Sequence, residues 1–316
     1  MKNRILVVFV ILAGMISFGP RVVTEHHIDQ PAITAQEYLI SEHSISGIVA
    51  GTEKSIRWYQ QPGDRTQYAL VYLHGFSSSH QDLAPVPQMV AQQLGANLLL
   101  TRLKGHGLDA DAMAEPQTQD WLTDAAEACY VAKQLGDKVI LMGTSTGGTL
   151  AAWLGSQNWC AASLEAIVLV SPNFGPADTN SELLLLPWGE YLARLVVGEY
   201  REFKPHNAQQ AQYWTEKYHS RSLVTMMGVV ETTRHQMMDV EVPVLTIYSP
   251  KDRVVDVKQI QTHVERLSNR ANRMISFVAS TDPMQHVLGG DILSPSSSQQ
   301  LTEVMVDYIL MLNKED

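Results

Sequence analysis

The 316-residue chain contains two cysteines, Cys129 and Cys160. They allow one bridge at most, which excludes a disulfide framework, and their spacing matches no metal-binding motif. Both are expected to be buried free thiols. Basic residues are also scarce: 23 Lys and Arg face 33 Asp and Glu, for a formal charge of -10. No dense Lys/Arg cluster offers the footprint that a phosphate backbone requires, which argues against a nucleic-acid partner. No internal repeat or extended low-complexity tract is present. The 45% hydrophobic content is enough for a sizeable core and excludes general disorder.

The N-terminal apolar run "ILVVFVILAGMISFG" from Ile5 to Gly19 follows Lys2 and Arg4, the layout of an export signal. It is shorter than the roughly 20 residues that span a bilayer, so length favours a signal peptide. Cleavage is less well supported. Ser17-Phe18-Gly19 has small-x-small spacing, but Pro20 would stand just past the cut. The expectation is an uncleaved anchor or signal over residues 1–20, membrane association through residues 5–19, and a catalytic body outside the cytoplasm, in the periplasm if the source is Gram-negative.

Beyond residue 66 the chain alternates. Short apolar runs at "QYALVYLHG", "ANLLLT", "KVILMG" and "AIVLVS" are separated by stretches with helical spacing near 83–94, 120–135 and from Thr146 onward. Strands apolar along their whole length and joined by helices predict an α/β fold, a mostly parallel sheet covered on both faces. Asp120 reads as the N-cap of its helix. From 172 to 239 the alternation stops and the content turns helical. It resumes with "PVLTIYSP", a helix near 257–267, the strand "RMISFVA" and a last helix near 299–311. The domains are therefore 21–171 and 240–316 as one core, with 172–239 as a helical cap inserted between sheet strands.

One serine lies between glycines at the end of the third strand, in Gly143-Thr144-Ser145-Thr146-Gly147. A lone G-x-S-x-G is weak evidence. Here it sits between a strand and a helix, the setting of a nucleophile elbow, where the turn is crowded and the helix N-terminus favours negative charge. A serine nucleophile needs a base and an orienting acid. In such a fold these follow later in the chain, acid first, each just past a strand. Asp252 and His286 meet that order. Asp256 is the rival acid, but it stands where a helix N-cap belongs; Asp282 is close enough to His286 for a supporting contact. The oxyanion donors are expected to be the backbone N–H groups of Phe76, in "LHGFSSSH", and Thr146. His74 is expected to be packed, and His106 to support the loop structurally. Leu185, Trp188, Trp214 and Met226 in the insertion are candidate substrate contacts, with cap packing as the plainer role for each.

With those pieces in place the sequence resembles the alpha/beta-hydrolase superfamily, and within it the bacterial carboxylesterases and monoacylglycerol lipases. The likeness runs from about Gln67 to Leu312. It rests on His74-Gly75-Phe76, on Arg102 to Gly107, on Trp121, on the elbow, on Asp252 with Val254-Val255, and on His286-Val287. Asp256 replaces a proline more usual in that branch, and "TDPMQ" replaces a glycine-serine lead-in to the histidine. The resemblance implies a serine hydrolase acting on short- to medium-chain acyl esters and monoglycerides beneath a mobile helical cap. No metal or organic cofactor is expected. A thioesterase, amidase or lactone hydrolase would use the same three side chains, and a catalytically silent binding protein is the non-enzymatic alternative. A small-molecule or lipid-like ester is the expected partner; oligomeric state is not readable.

Overall fold

The computed structural model describes residue 14 and residues 18–314. In chain order the elements are α1 (Ala35–Ile40), β1 (Ser55–Arg57), β2 (Thr66–Leu73), α2 (Val86–Leu94), β3 (Asn97–Leu100), α3 (Thr118–Leu135), β4 (Gly136–Thr144), α4 (Thr146–Gly155), α5 (Asn158–Ala161) and β5 (Leu164–Val170). There follow α6 (Gly189–Val197), β6 (Tyr200–Glu202), α7 (Ala208–Tyr213), β7 (Lys217–His219), α8 (Arg221–Gln236), β8 (Val244–Tyr248), α9 (Val257–Val264), β9 (Arg273–Ser276) and α10 (Ser298–Leu312).

Seven strands form one sheet in the order β1-β3-β2-β4-β5-β8-β9. Only the β1–β3 pairing is antiparallel; the other five are parallel. Side chains alternate across each strand, so the two faces feed separate cores. Val71, Leu73, Leu141 and Leu169 join Trp121, Leu122 and Leu150 of α3 and α4 on one face. Leu70, Tyr72, Ile140, Met142 and Val168 join Val86, Val90, Leu301 and Met305 of α2 and α10 on the other. Burial on both sides explains why these strands read as unbroken apolar runs. The mainly parallel sheet flanked by helices, with a cap inserted between β5 and β8, is the alpha/beta-hydrolase fold.

Four expectations are corrected. First, α3 begins two residues before Asp120, which is its third residue and closes the first turn by accepting the Gln117 N–H at 2.8 Å. Second, the inserted segment is not helical throughout. Tyr200–Glu202 pairs antiparallel with Lys217–His219, and the helix expected across 207–218 is confined to α7. Third, Cys129 and Cys160 are not free thiols but a disulfide, because α3 and α5 pack side by side and bring the two Cα atoms to 6.3 Å. Fourth, no helix among the described residues is long and apolar enough to cross a membrane. The anchor, and the placement outside the cytoplasm that rested on it, is corrected accordingly. Most of the run behind that expectation, residues 1–13 and 15–17, lies outside the described residues. The first described stretch instead lies along the cap, where Pro20 O accepts the Trp188 N–H at 2.7 Å and Thr24 O accepts the Thr232 hydroxyl at 2.9 Å.

Candidate active site

The turn from β4 into α4 places Ser145 at φ 54° and ψ -119°, a conformation that side-chain-bearing residues rarely adopt and that marks stored backbone strain. Its flanking glycines are required by space. A Cβ on Gly147 would lie 2.0 Å from Leu73 O, and one on Gly143 would lie 2.2 Å from Gly147 O. The sharp turn lifts Ser145 to the carboxyl rim of the sheet, where open α/β sheets place their sites. Only 6% of the residue is exposed.

On the same rim, the loops after β8 and β9 bring Asp252 and His286 together. His286 Nδ1 lies 2.8 Å from Asp252 Oδ2. The other carboxylate oxygen accepts the N–H groups of Val254 and Val255 at 2.8 and 3.0 Å, so the acid is fixed from both ends. Burial opposes charging of the imidazole, but the adjacent Asp252 carboxylate outweighs it, with further help from Asp282 and Asp82. The His286 pKa is therefore raised above the ordinary histidine value. The hydrogen bond from Nδ1–H orients the ring and leaves Nε2 as the basic nitrogen. The histidine loop is tied to the sheet beside the elbow: His286 O accepts the Ser171 hydroxyl at 2.8 Å, and Ser171 directly follows β5. No hydrogen bond joins the Ser145 hydroxyl to the ring among the described residues. Catalytic contacts of this kind commonly tighten only when substrate is bound.

The rival acids are used elsewhere. Asp256 caps α9 by accepting the Lys258 N–H at 2.9 Å. Asp282 accepts the backbone N–H groups of both His286 and Val287 at 2.9 Å, supporting the loop without touching the ring.

The turn after β2 stacks against the elbow so closely that a Cβ on Gly75 would lie 3.4 Å from Ser145 Cβ. Neither the Phe76 nor the Thr146 backbone N–H donates to another group among the described residues, which leaves both for an oxyanion. The Gly75–Phe76 peptide is held through its carbonyl, which lies 2.9 Å from His74 Nδ1 and 3.0 Å from Ser78 Oγ. Since peptide N–H and C=O are rigidly opposed, fixing one aims the other. His74 Nε2 accepts the Leu103 N–H at 3.1 Å, so Nδ1 carries the proton that reaches Gly75 O. Burial keeps His74 neutral, with a pKa well below the histidine norm, and pushes His106 down to about 4. The His106 ring packs against His74, Phe76 and Trp121. Beneath them the buried Arg102 guanidinium pairs with both oxygens of Glu42 at 2.7 and 2.8 Å and donates to His106 O at 3.0 Å.

The inserted segment packs on the turn that carries Phe76. Thr215 N–H donates to Ser77 O at 2.7 Å, and Tyr218 of β7 meets the Phe76 ring edge-on with centroids 5.0 Å apart. Trp214 precedes Thr215 and packs on the α2/α10 side of the core. Met226 of α8 is buried, with Sδ 3.5 Å from Asn173 Nδ2, and Asn173 N–H donates to Ser145 O at 3.1 Å. Leu185 is partly buried against the α3/α4 side of the core. Trp188 is on the outer side of the cap. It lines a cavity of about 220 Å³ with Pro20, Val22 and Arg221, whose walls include neither Ser145 nor His286.

Sequence reasoning missed one buried group, Asp82, whose carboxylate accepts from Tyr72, Gly75 and Ser78. It sits in the polar stretch "SSSHQD", which reads as an ordinary exposed loop.

The family model described as "Serine aminopeptidase, S33" matches residues 64–279, more than half of the chain. A thermostable monoacylglycerol lipase of Bacillus sp. (strain H-257) is 24% identical over 186 residues, covering 59% of this chain and 71% of that protein. Among solved structures, one of the metagenome-derived lipolytic enzymes LipS and LipT superposes with a TM-score of 0.69 at 18% identity, covering 84% of this chain and 99% of its own. The monoacylglycerol lipase of Paleococcus ferrophilus does so with a TM-score of 0.60 at 12% identity, covering 82% and 98%. At such identities the superpositions establish the fold alone.

Proposed function

The chain belongs to the serine aminopeptidase S33 family of serine hydrolases, and from that premise we propose that it is a carboxylic-ester hydrolase acting on short- to medium-chain acyl esters, monoacylglycerols among them. His286 takes the proton of Ser145 as the serine oxygen attacks the ester carbonyl. Asp252 holds the imidazole and supports the charge it acquires. The N–H groups of Phe76 and Thr146 stabilise the oxyanion, each typically contributing about 3 kcal/mol at the transition state. The alcohol departs with the proton from His286, and water then cleaves the acyl-enzyme by the same route. Residues 172–239 act as the cap over a core made of 21–171 and 240–316.

The observation that carries this reading is the 2.8 Å bond between His286 and Asp252, on the rim where the strained Ser145 turn emerges. The preference for esters draws on the relatives described as lipases. A chain-length series of p-nitrophenyl esters and 1-monoacylglycerols, run beside a fluorophosphonate label, tests it. Ser145→Ala should abolish labelling and lower turnover by at least ~10³-fold. Full ester hydrolysis by that variant would disprove the serine assignment, and faster cleavage of anilides or thioesters than of esters would disprove the substrate class.

A further inference from the structure

The proposed mechanism leaves a fully buried carboxyl group unused. Asp82 follows the oxyanion turn at the end of a single 3-10 turn, His80–Asp82, and is 2% exposed. Its Oδ2 accepts the Gly75 N–H at 2.9 Å and lies 2.8 Å from Ser78 Oγ. Its Oδ1 takes a short hydrogen bond from the Tyr72 hydroxyl, and Tyr72 Oη lies 2.9 Å from Thr144 Oγ1. All of these are neutral partners. Burial accordingly pushes the Asp82 pKa up to about 6, against the pull of its hydrogen bonds. Packing alone does not call for an acid there: an apolar side chain would fill the space without that penalty.

The bonds reach two specific places. Gly75 and Ser78 bracket Phe76, whose N–H is the oxyanion donor, and Ser78 Oγ also contacts the carbonyl of that donor's own peptide unit. Thr144 is the residue immediately before the nucleophile and the last of β4. The turn between them is under strain, since Ser77 has φ 58°. Asp82 fixes the peptide before that donor, through the Gly75 N–H, and holds Ser78, one of the two groups on the Gly75 carbonyl. Without it the Gly75–Phe76 peptide keeps the His74 contact but loses that second support, and its N–H can tilt from the oxyanion position. We infer that Asp82 is a positioning residue, fixing through Tyr72 and Thr144 the separation between the oxyanion donor at Phe76 and the nucleophile at Ser145. The inference rests on the ester-hydrolase reading above.

Oxyanion donors act on the transition state rather than on bound substrate, so their misplacement lowers kcat and spares KM. Asp82→Ala should reduce kcat per fluorophosphonate-titrated site by ~10- to 100-fold, short of the ~10²–10³ for a donor removed outright, with KM changed less than ~3-fold. Asp82→Asn offers an amide oxygen to Gly75 and an N–H to Tyr72, whose hydroxyl can then turn to Thr144, so it should restore most of the lost kcat. Tyr72→Phe cuts only the link to the elbow and should cost about 5-fold in kcat at constant KM. A phenylboronate, which mimics the tetrahedral state, should bind Asp82→Ala more weakly by the same factor as kcat falls.

Equal kcat per titrated site in Asp82→Ala, Asp82→Asn and the parent would overturn the inference and leave Asp82 a purely structural residue. If Asp82→Ala does not fold, Tyr72→Phe decides alone: a fall in kcat upholds the inference and unchanged kcat overturns it. Ser145→Ala separates the two claims. An active Ser145→Ala removes the hydrolase reading itself, whereas a dead Ser145→Ala beside a fully active Asp82→Ala removes only the role of Asp82.

Discussion

Replacing Asp252 by asparagine keeps the size of the side chain and removes one charge, and its effect can be worked out from the geometry. The carboxylate is fully buried and 2.8 Å from His286 Nδ1. With charge centres roughly 4 Å apart and an effective dielectric of about 20, the attraction for imidazolium is about 4 kcal/mol. That charge forms only as Ser145 gives up its proton, so nearly all of the energy belongs to the transition state. The expected loss is therefore about 10³-fold in kcat/KM at neutral pH. An amide N–H facing Nδ1 would also favour the wrong tautomer, which adds to the loss. The pH profile supplies an independent check. In the parent, His286 must be neutral to act and its pKa is raised, so activity should rise with pH through a midpoint above the ordinary value of about 6.5. Without the Asp252 carboxylate the largest raising influence is gone while burial still opposes the charge, so the midpoint should move to lower pH than in the parent. Stopped-flow or steady-state rates with p-nitrophenyl butyrate from pH 4.5 to 9 would measure both effects. Asp252→Asn within tenfold of the parent, or an acidic limb that stays in place, would refute the assignment. Asp256→Asn serves as the control, since Asp256 caps α9 and should affect stability only.

Three further substitutions probe the frame around the site. Gly147→Ala would drive a methyl into the backbone of β2, so fluorophosphonate labelling should slow by ~10²-fold and Tm should fall, as differential scanning fluorimetry would show. Arg102→Met leaves Glu42 buried and unpaired, with an expected cost of about 3–5 kcal/mol in urea unfolding; the double variant with Glu42→Leu should recover much of it. The Cys129→Ser/Cys160→Ser variant gives up a bridge across 31 residues, for a loss of about 3–4 kcal/mol by chain entropy, with kcat at ambient temperature unchanged.

What was legible in the sequence followed from local rules. Strands buried on both faces must be apolar throughout, so β2, β4, β5 and β8 announced themselves, and the strand-to-helix setting around Ser145 is the sharp turn the structure shows. Chain order singled out Asp252 and His286, each in the loop following one of the last two strands, and the structure brings those two side chains together. The misses share a different origin. β6 and β7 have three residues each, too few to show a period of two, and their pairing of Tyr200 with His219 depends on the intervening chain folding back. Cys129 and Cys160 meet only because α3 and α5 share one side of the sheet. Asp82 lies in a run of serines that looks exposed. The partners that satisfy it there, the Tyr72 hydroxyl, the Gly75 N–H and the Ser78 hydroxyl, come together only in the folded chain.

Phe76 shows where local reading ends. Its N–H was assigned from the turn after β2, and that donor would exist in any chain with the same turn. Its orientation is a tertiary property. The peptide that carries it is held by His74 and Ser78, the Ser77 carbonyl by Thr215 of the cap, and the ring meets Trp121 and Tyr218 edge-on. Core and cap therefore meet at the turn that carries Phe76. The turn is thus tied from two directions, by His74, Ser78 and Trp121 of the core and by Thr215 and Tyr218 of the inserted segment, which is why neither side of it could be read from local sequence.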